Sequence, residues 1–228
     1  MTTPDTSPPI TAAWSVQSDR TLDDLSRLLE VMGDSPSRHA LLQGALLQLS
    51  GEFQRSVRLV LATGAKGVAD AIGGALGARV QRSLTIDALV TKGYASADDL
   101  EVDFERIGID IWGLDFGPEV PGWVQSGWLD DINEIRDAIA QGIDPSEAYG
   151  LVDLERVRLY VDMWGTLIAA FEGAVDELIA TCRRERDESS DAAPPSLIPC
   201  EPPPIGSVVR DRTLIGSGLY TVLHDAGP

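Results

Sequence analysis

VRLYVDMWGTLIAAFEGAVDELIATCRRER, residues 157–186, decides the fold. Val157, Tyr160, Val161, Trp164, Leu167, Ile168, Phe171, Val175, Leu178 and Ile179 recur at three- and four-residue intervals and make one continuous apolar stripe, the period of a helix with one buried face. Arg183, Arg184 and Arg186 follow, where cations suit the negative end of the helix dipole. The stretch predicts a long amphipathic helix ending near Arg186, in a mainly α-helical chain.

Upstream, the same period returns. From Ser37, the residues Leu41, Leu42, Ala45, Leu46, Leu49, Phe53, Val57 and Leu61 share one face while Gln43, Gln48, Arg55 and Arg58 fall elsewhere, which predicts a second long helix ending near Gly64. Residues 64–82 are rich in Gly and Ala; the spacing of a phosphate-binding loop is absent, and close packing of small residues between helices is the plainer reading. Leu129, Ile132, Ile135, Ala138 and Ile139 mark a further helix stopped by Gly142, and Asp144-Pro145-Ser146-Glu147 has the residues of a new helical start. Between them, residues 83–123 are less regular. Asp98, Asp99, Glu101, Asp103 and Glu105 there read as a solvated helix face leading into a loop, since they lack the histidines or the Gly-centred spacing of a metal or calcium site. Trp112, Trp123 and Trp128 could stack on bases, but with apolar neighbours and no interleaved cations they read as core or dimer-interface residues.

Nearer the start, Thr21 is placed to cap a short helix through Leu22, Leu25, Leu29 and Met32 that stops at Gly33. The expected organisation is therefore a flexible tail over residues 1–20, a helical domain over 21–186, a Pro-rich linker over 187–206, and a C-terminal segment over 207–228 that could form a short strand or hairpin around Gly216-Ser217-Gly218.

Composition narrows the function. The chain is 228 residues long and 43% hydrophobic, enough for one domain with a real core and too apolar for wholesale disorder. With 36 acidic and 18 basic residues, its formal charge of −18 opposes general binding to nucleic acid or to anionic membranes. A local patch could still bind RNA, because salt limits the reach of distant charges to about 10 Å. Cys182 and Cys200, eighteen positions apart with no companion ligand set, read as reduced thiols of a cytoplasmic protein. No secretion signal or membrane span is expected, because the first ten residues lack a basic or apolar region and charges such as Lys66, Asp162 and Glu172 interrupt the apolar stretches.

One segment points further. Ile132-Asn133-Glu134-Ile135-Arg136-Asp137-Ala138-Ile139-Ala140-Gln141-Gly142 resembles the signature of HEPN domains, in which an arginine, a polar residue, three more residues and a histidine form a ribonuclease motif. Every element fits except the histidine, replaced by Gln141. Gly51-Glu52-Phe53-Gln54-Arg55 looks like the Glu/Arg-bearing helix of the RiboL-PSP-type members, and Ile107-Gly108 and the long final helix also fit. The similarity extends over roughly Thr21 to Cys182. It implies a HEPN-like helical bundle, a homodimer whose two motifs line one cleft, and RNA cleavage that uses no metal ion or cofactor.

Cleavage through the 2′-hydroxyl needs a group to move a proton and a cation to stabilise charge on phosphorus. Arg136 can supply the cation through its donor fork, with Asp137 beside it. Gln141 cannot titrate near neutral pH, so a general acid-base contribution of about 10²–10⁴-fold is missing. Neither His39, at the start of the early long helix, nor His224, in the C-terminal segment, is expected to replace it; both read as surface residues. Positions five apart on a regular helix differ by about 140°, so Arg136 and Gln141 converge only if the helix end bends. A surface ion pair for Arg136 is the bland alternative. No Gly-x-Ser-x-Gly elbow or Cys/His pairing supports other hydrolase chemistry. Three readings remain: a catalytically silent domain that dimerises or binds a partner protein, as in a bacterial toxin–antitoxin or antiphage system; a weak or partner-dependent ribonuclease; and a helical protein unrelated to RNA.

Overall fold

A computed structural model describes residues 8–33, 35, 37–86, 96–116 and 121–191. Among these the secondary structure is all α: α1 (Ile10–Met32), α2 (Ser37–Ile72), α3 (Gly74–Ile86), α4 (Ala97–Glu105), α5 (Gly122–Ala140), α6 (Ser146–Tyr149) and α7 (Leu154–Asp191). The apolar stripe read from residues 157–179 is the spine of the core, with Val157, Trp164, Leu167, Ile168 and Phe171 each at most 1% exposed.

The paired side chains give the helix directions. Phe53 stacks on Trp164, Gly64 faces Val175 and Gly67 faces Ile179; the numbers rise together, so α2 and α7 run parallel. Trp14 meets Phe53 and Arg38 donates to the Leu29 carbonyl, so α1 runs antiparallel to α2. Phe104 and Trp112 bring α4 and the loop after it onto Phe171. Leu129, Ile132 and Ile135 insert α5 into the same core.

Several boundaries differ from the sequence reading. Helix α1 begins at Ile10 rather than after a tail of twenty residues, and Trp14 is buried with Leu25 and Leu29. Thr21 is not a cap; it lies within α1, and its hydroxyl donates to the Gln17 carbonyl. The cap comes from elsewhere. Glu172 of α7 accepts from the Ile10 and Thr11 amides at 2.7 and 3.0 Å and from the Thr11 hydroxyl at 2.6 Å, which satisfies donors that every helix start leaves open.

Helix α2 passes through Gly64 and ends at Ile72. Gly64 is no stop: a Cβ there would lie 3.2 Å from Val175 and 3.3 Å from Ile107, so the small residue permits close helix contact, as the Gly/Ala-rich stretch suggested. The chain breaks instead at Gly73 and Gly74, both at positive φ (72° and 58°), a conformation that glycine adopts without the Cβ penalty.

The acidic run forms α4, capped by the Ser96 hydroxyl accepting from the Asp99 amide. Its face is not wholly solvated. Asp103 is buried, with Arg106 at 3.4 Å. Helix α5 starts seven residues before Leu129, because Gly122 can approach the backbone of Trp112 closely. Its end is as read: Gly142 has φ 74°, and its amide and that of Ile143 bond back to Ile139 and Ala138, the glycine-terminated helix ending. Asp144 accepts from the Ser146 amide, but the helix it opens, α6, is only one turn long. Helix α7 continues five residues beyond Arg186 to Asp191, into the expected linker. The rest of the linker and the expected strand or hairpin lie outside the described residues. No helix among the described residues is long and apolar enough to cross a membrane.

Candidate functional site

The motif residues sit on the last turns of α5, and the structure brings together only two of the three. Arg136 is 6% exposed. Its Nη2 and Nε both donate to Asp137 Oδ1, at 2.6 and 3.1 Å. Burying a guanidinium is costly unless it is paired, and Asp137, itself less than half exposed, supplies that pairing. Gln141 is exposed and forms the C-cap, its amide donating to Asp137 and Ile139 carbonyls. The helix stays regular through Ala140 and turns only after Gln141, so the bend that convergence requires is absent. Within this fold Arg136 points inward and Gln141 outward.

His39 lies at the surface as read, with 33% of its side chain exposed, but it has partners there. It is half-buried in the first turn of α2, with Nε2 2.7 Å from Gln43 Nε2 and 3.6 Å from Asp144 Oδ1. It therefore reaches the loop directly after Gln141, a proximity between distant segments that spacing along the chain could not reveal. Hydrogen bonds from Ser146, chiefly its backbone amide, together with His39 hold the Asp144 carboxyl below its usual value. The same end is tied by the Tyr149 hydroxyl, which donates to Glu134, and by Arg156, which donates to the Tyr149 carbonyl and to the Tyr160 hydroxyl. His224 lies outside the described residues, as does Cys200; Cys182 is a half-buried free thiol.

The second family-like segment falls elsewhere. Glu52 and Arg55 line an open groove of about 1080 Å³ with Trp14, Leu59, Glu172 and Asp176. No residue of α5 lines that groove. Among the described residues no group of His, Cys, Asp or Glu is placed to hold a metal ion. Of the three tryptophans, Trp112 packs on Phe116 and Phe171, whereas Trp123 is 73% and Trp128 43% exposed on α5; those two are not core residues.

Glu172, read from the sequence only as a charge that interrupts an apolar stretch, accepts three hydrogen bonds at the edge of the groove. Burial pushes its pKa up, but the bonds from the Thr11 hydroxyl and the Thr11 and Ile10 amides outweigh this and hold it below the ordinary value. A carboxyl held low by folding stabilises the native state above its ordinary pKa, and the contribution is lost as pH falls through the folded value. The stability gap between the native chain and Glu172→Gln is therefore expected to be full at neutral pH and to close as the pH falls below the ordinary carboxylate range. Urea unfolding at several pH values checks this; a gap unchanged by acid would mean that the ionised carboxylate is not the cap.

Compared with known families, curated proteins and solved structures, the chain matches none.

Proposed function

We propose that this chain is a degenerate HEPN-type domain that does not cut RNA and acts instead as a dimerising or partner-binding module, in a setting such as a bacterial toxin–antitoxin or antiphage system. The observation that carries this reading is the state of the motif: Gln141 has no proton to exchange near neutral pH, and Arg136 is 6% exposed and bonded to Asp137. The formal charge of −18 adds repulsion of phosphate. Trp123, 73% exposed on the helix that carries the motif, fits a surface that a second copy covers, since tryptophan is enriched at the centres of interfaces.

A second reading, a weak or conditional ribonuclease, is favoured by one observation: His39 stands beside the loop that follows Gln141 and could supply the proton transfer that Gln141 cannot.

Purified protein incubated with labelled total RNA in EDTA is expected to cut nothing, and His39→Gln is expected to change nothing. Cleavage by the native chain that His39→Gln abolishes would overturn the silent reading in favour of the second. Sedimentation of the same preparation is expected to give a dimer, and a strictly monomeric protein would remove the dimerising role.

A further inference from the structure

One ring nitrogen of His39 faces a donor and an acceptor at once. Its Nε2 lies 2.7 Å from Gln43 Nε2 and 3.6 Å from Asp144 Oδ1. The amide nitrogen of Gln43 only donates, so the first contact is a hydrogen bond when His39 Nε2 holds a lone pair, in the neutral ring with its proton on Nδ1. A carboxylate only accepts, so the second contact becomes a bond when Nε2 carries a hydrogen. The protonated ring donates from both nitrogens and offers Gln43 no lone pair. The protonation state therefore chooses the partner, and histidine is the side chain that ordinarily changes charge between pH 5 and 8.

The two partners belong to different parts of the fold. Gln43 is one turn further along α2, so the neutral ring bonds within its own helix. Asp144 belongs to the loop after α5, and the same Oδ1 accepts from the Ser146 amide at 3.0 Å where α6 begins. Helix α6 is in turn joined to α5 by Tyr149 on Glu134 and to α7 by Arg156 on the Tyr149 carbonyl. Other charges at this end have different partners or stand in solvent. Arg38 is turned to the Leu29 carbonyl of α1, Glu30 of α1 and Glu147 of α6 are exposed, and among the described residues Asp144 is the carboxylate that pairs with His39. The bonds from Ser146, with His39, hold the Asp144 carboxyl below its usual value, so it stays ionised while a histidine titrates.

We propose that His39 is a proton-operated tie: gaining a proton moves its Nε2 from Gln43 to Asp144 and fastens the loop after the motif helix to α2, and losing the proton releases that loop. The role is conformational and stands whether or not the chain cuts RNA. At 3.6 Å the contact with Asp144 is too long for a hydrogen bond, so ring and loop close by about 0.8 Å to reach charge-assisted length. The Gln43 amide turns away or presents its oxygen. A tie that requires the proton contributes on the acid side and is lost as pH rises. Ile143, 56% exposed in the same loop, is held at acid pH and released above it.

The chain has only two histidines, so nuclear magnetic resonance of the ¹⁵N-labelled full chain resolves the switch. Between pH 8 and 5 the Gln43 side-chain amide and the Ser146 backbone amide are expected to shift together with the His39 ring, in one transition that His224→Gln leaves unchanged. His39→Gln is expected to abolish both amide shifts. Asp144→Asn keeps an oxygen for the Ser146 amide but not the charge, and is expected to abolish the Ser146 shift while the Gln43 shift persists. Urea unfolding of the two single variants and the double variant is expected to show a coupling of about two- to fivefold in the unfolding constant at pH 5.5 and none at pH 8. Both substitutions are at partly or fully exposed side chains, and a variant that loses its helical circular dichroism is replaced by His39→Asn. The proposal is overturned if the Ser146 amide responds to pH without His39, if His39 titrates while Gln43 and Ser146 stay still, or if the coupling is equal at both pH values.

Discussion

Trp164→Ala is expected to cost about 3–5 kcal/mol of folding stability, enough to leave a large unfolded population in a domain of ordinary stability. Trp164 is 1% exposed, stacks on Phe53 with centroids 5.5 Å apart, and meets the edge of Trp14 at 6.1 Å. It is thus the contact at which α1, α2 and α7 meet, and its removal leaves a cavity that three helices must collapse to fill. Its indole Nε1 is buried and has no hydrogen-bond partner, so the ring is held by packing alone. Trp164→Phe removes the unsatisfied donor while keeping an aromatic ring, and is expected to cost less than about 1.5 kcal/mol. Chemical denaturation of both variants tests this; equal losses would show that the contribution lies in the indole rather than in the stacked ring.

Two glycines of one helix are expected to respond to alanine with opposite signs. At Gly122 a Cβ would collide with the carbonyl of Trp112. The obstacle is backbone, which cannot rotate away as a side chain can, so the start of α5 must move and Gly122→Ala is expected to cost about 1–3 kcal/mol or more. At Gly127, five residues on, a Cβ meets nothing within 4 Å. Alanine there is expected to add about 0.5–1 kcal/mol, because glycine in a helix interior loses more chain entropy on folding. Thermal unfolding of the two variants side by side reads the difference, and a shift of the same sign in both would mean that α5 does not abut Trp112 as described.

The helix class and most of the core were legible because they depend on periodicity, which is local. The stripe from Val157 to Ile179 and the one from Leu42 to Val57 fall in the core as their spacing requires. What spacing could not carry was any role set by a distant segment. Thr21 looked like a cap because the true cap of α1 is Glu172, on another helix. Gly64 looked like a stop because glycine serves both for turns and for close approach, and only the Val175 and Ile107 side chains across from it decide between them. The candidate site shows the same limit. The Arg-x4-Gln spacing was plain, but that Arg136 is buried on Asp137 while His39 sits near the following loop depends on how α5 packs against its neighbours.

The parallel pairing of α2 with α7 also bears on how the chain is made. Neighbours in this bundle are born far apart: when α1 and α2 leave the ribosome as an antiparallel pair, the helix that fills their seam has yet to be translated. Until Trp164 arrives, Trp14 and Phe53 lack the ring that both meet in the finished core, and until Glu172 arrives the first amides of α1 are uncapped. Contacts of such long sequence separation form late and fold slowly, and half-made helical pairs with an open apolar face are the species that aggregate or recruit chaperones. The nascent chain is therefore most vulnerable over the long interval between α2 and α7.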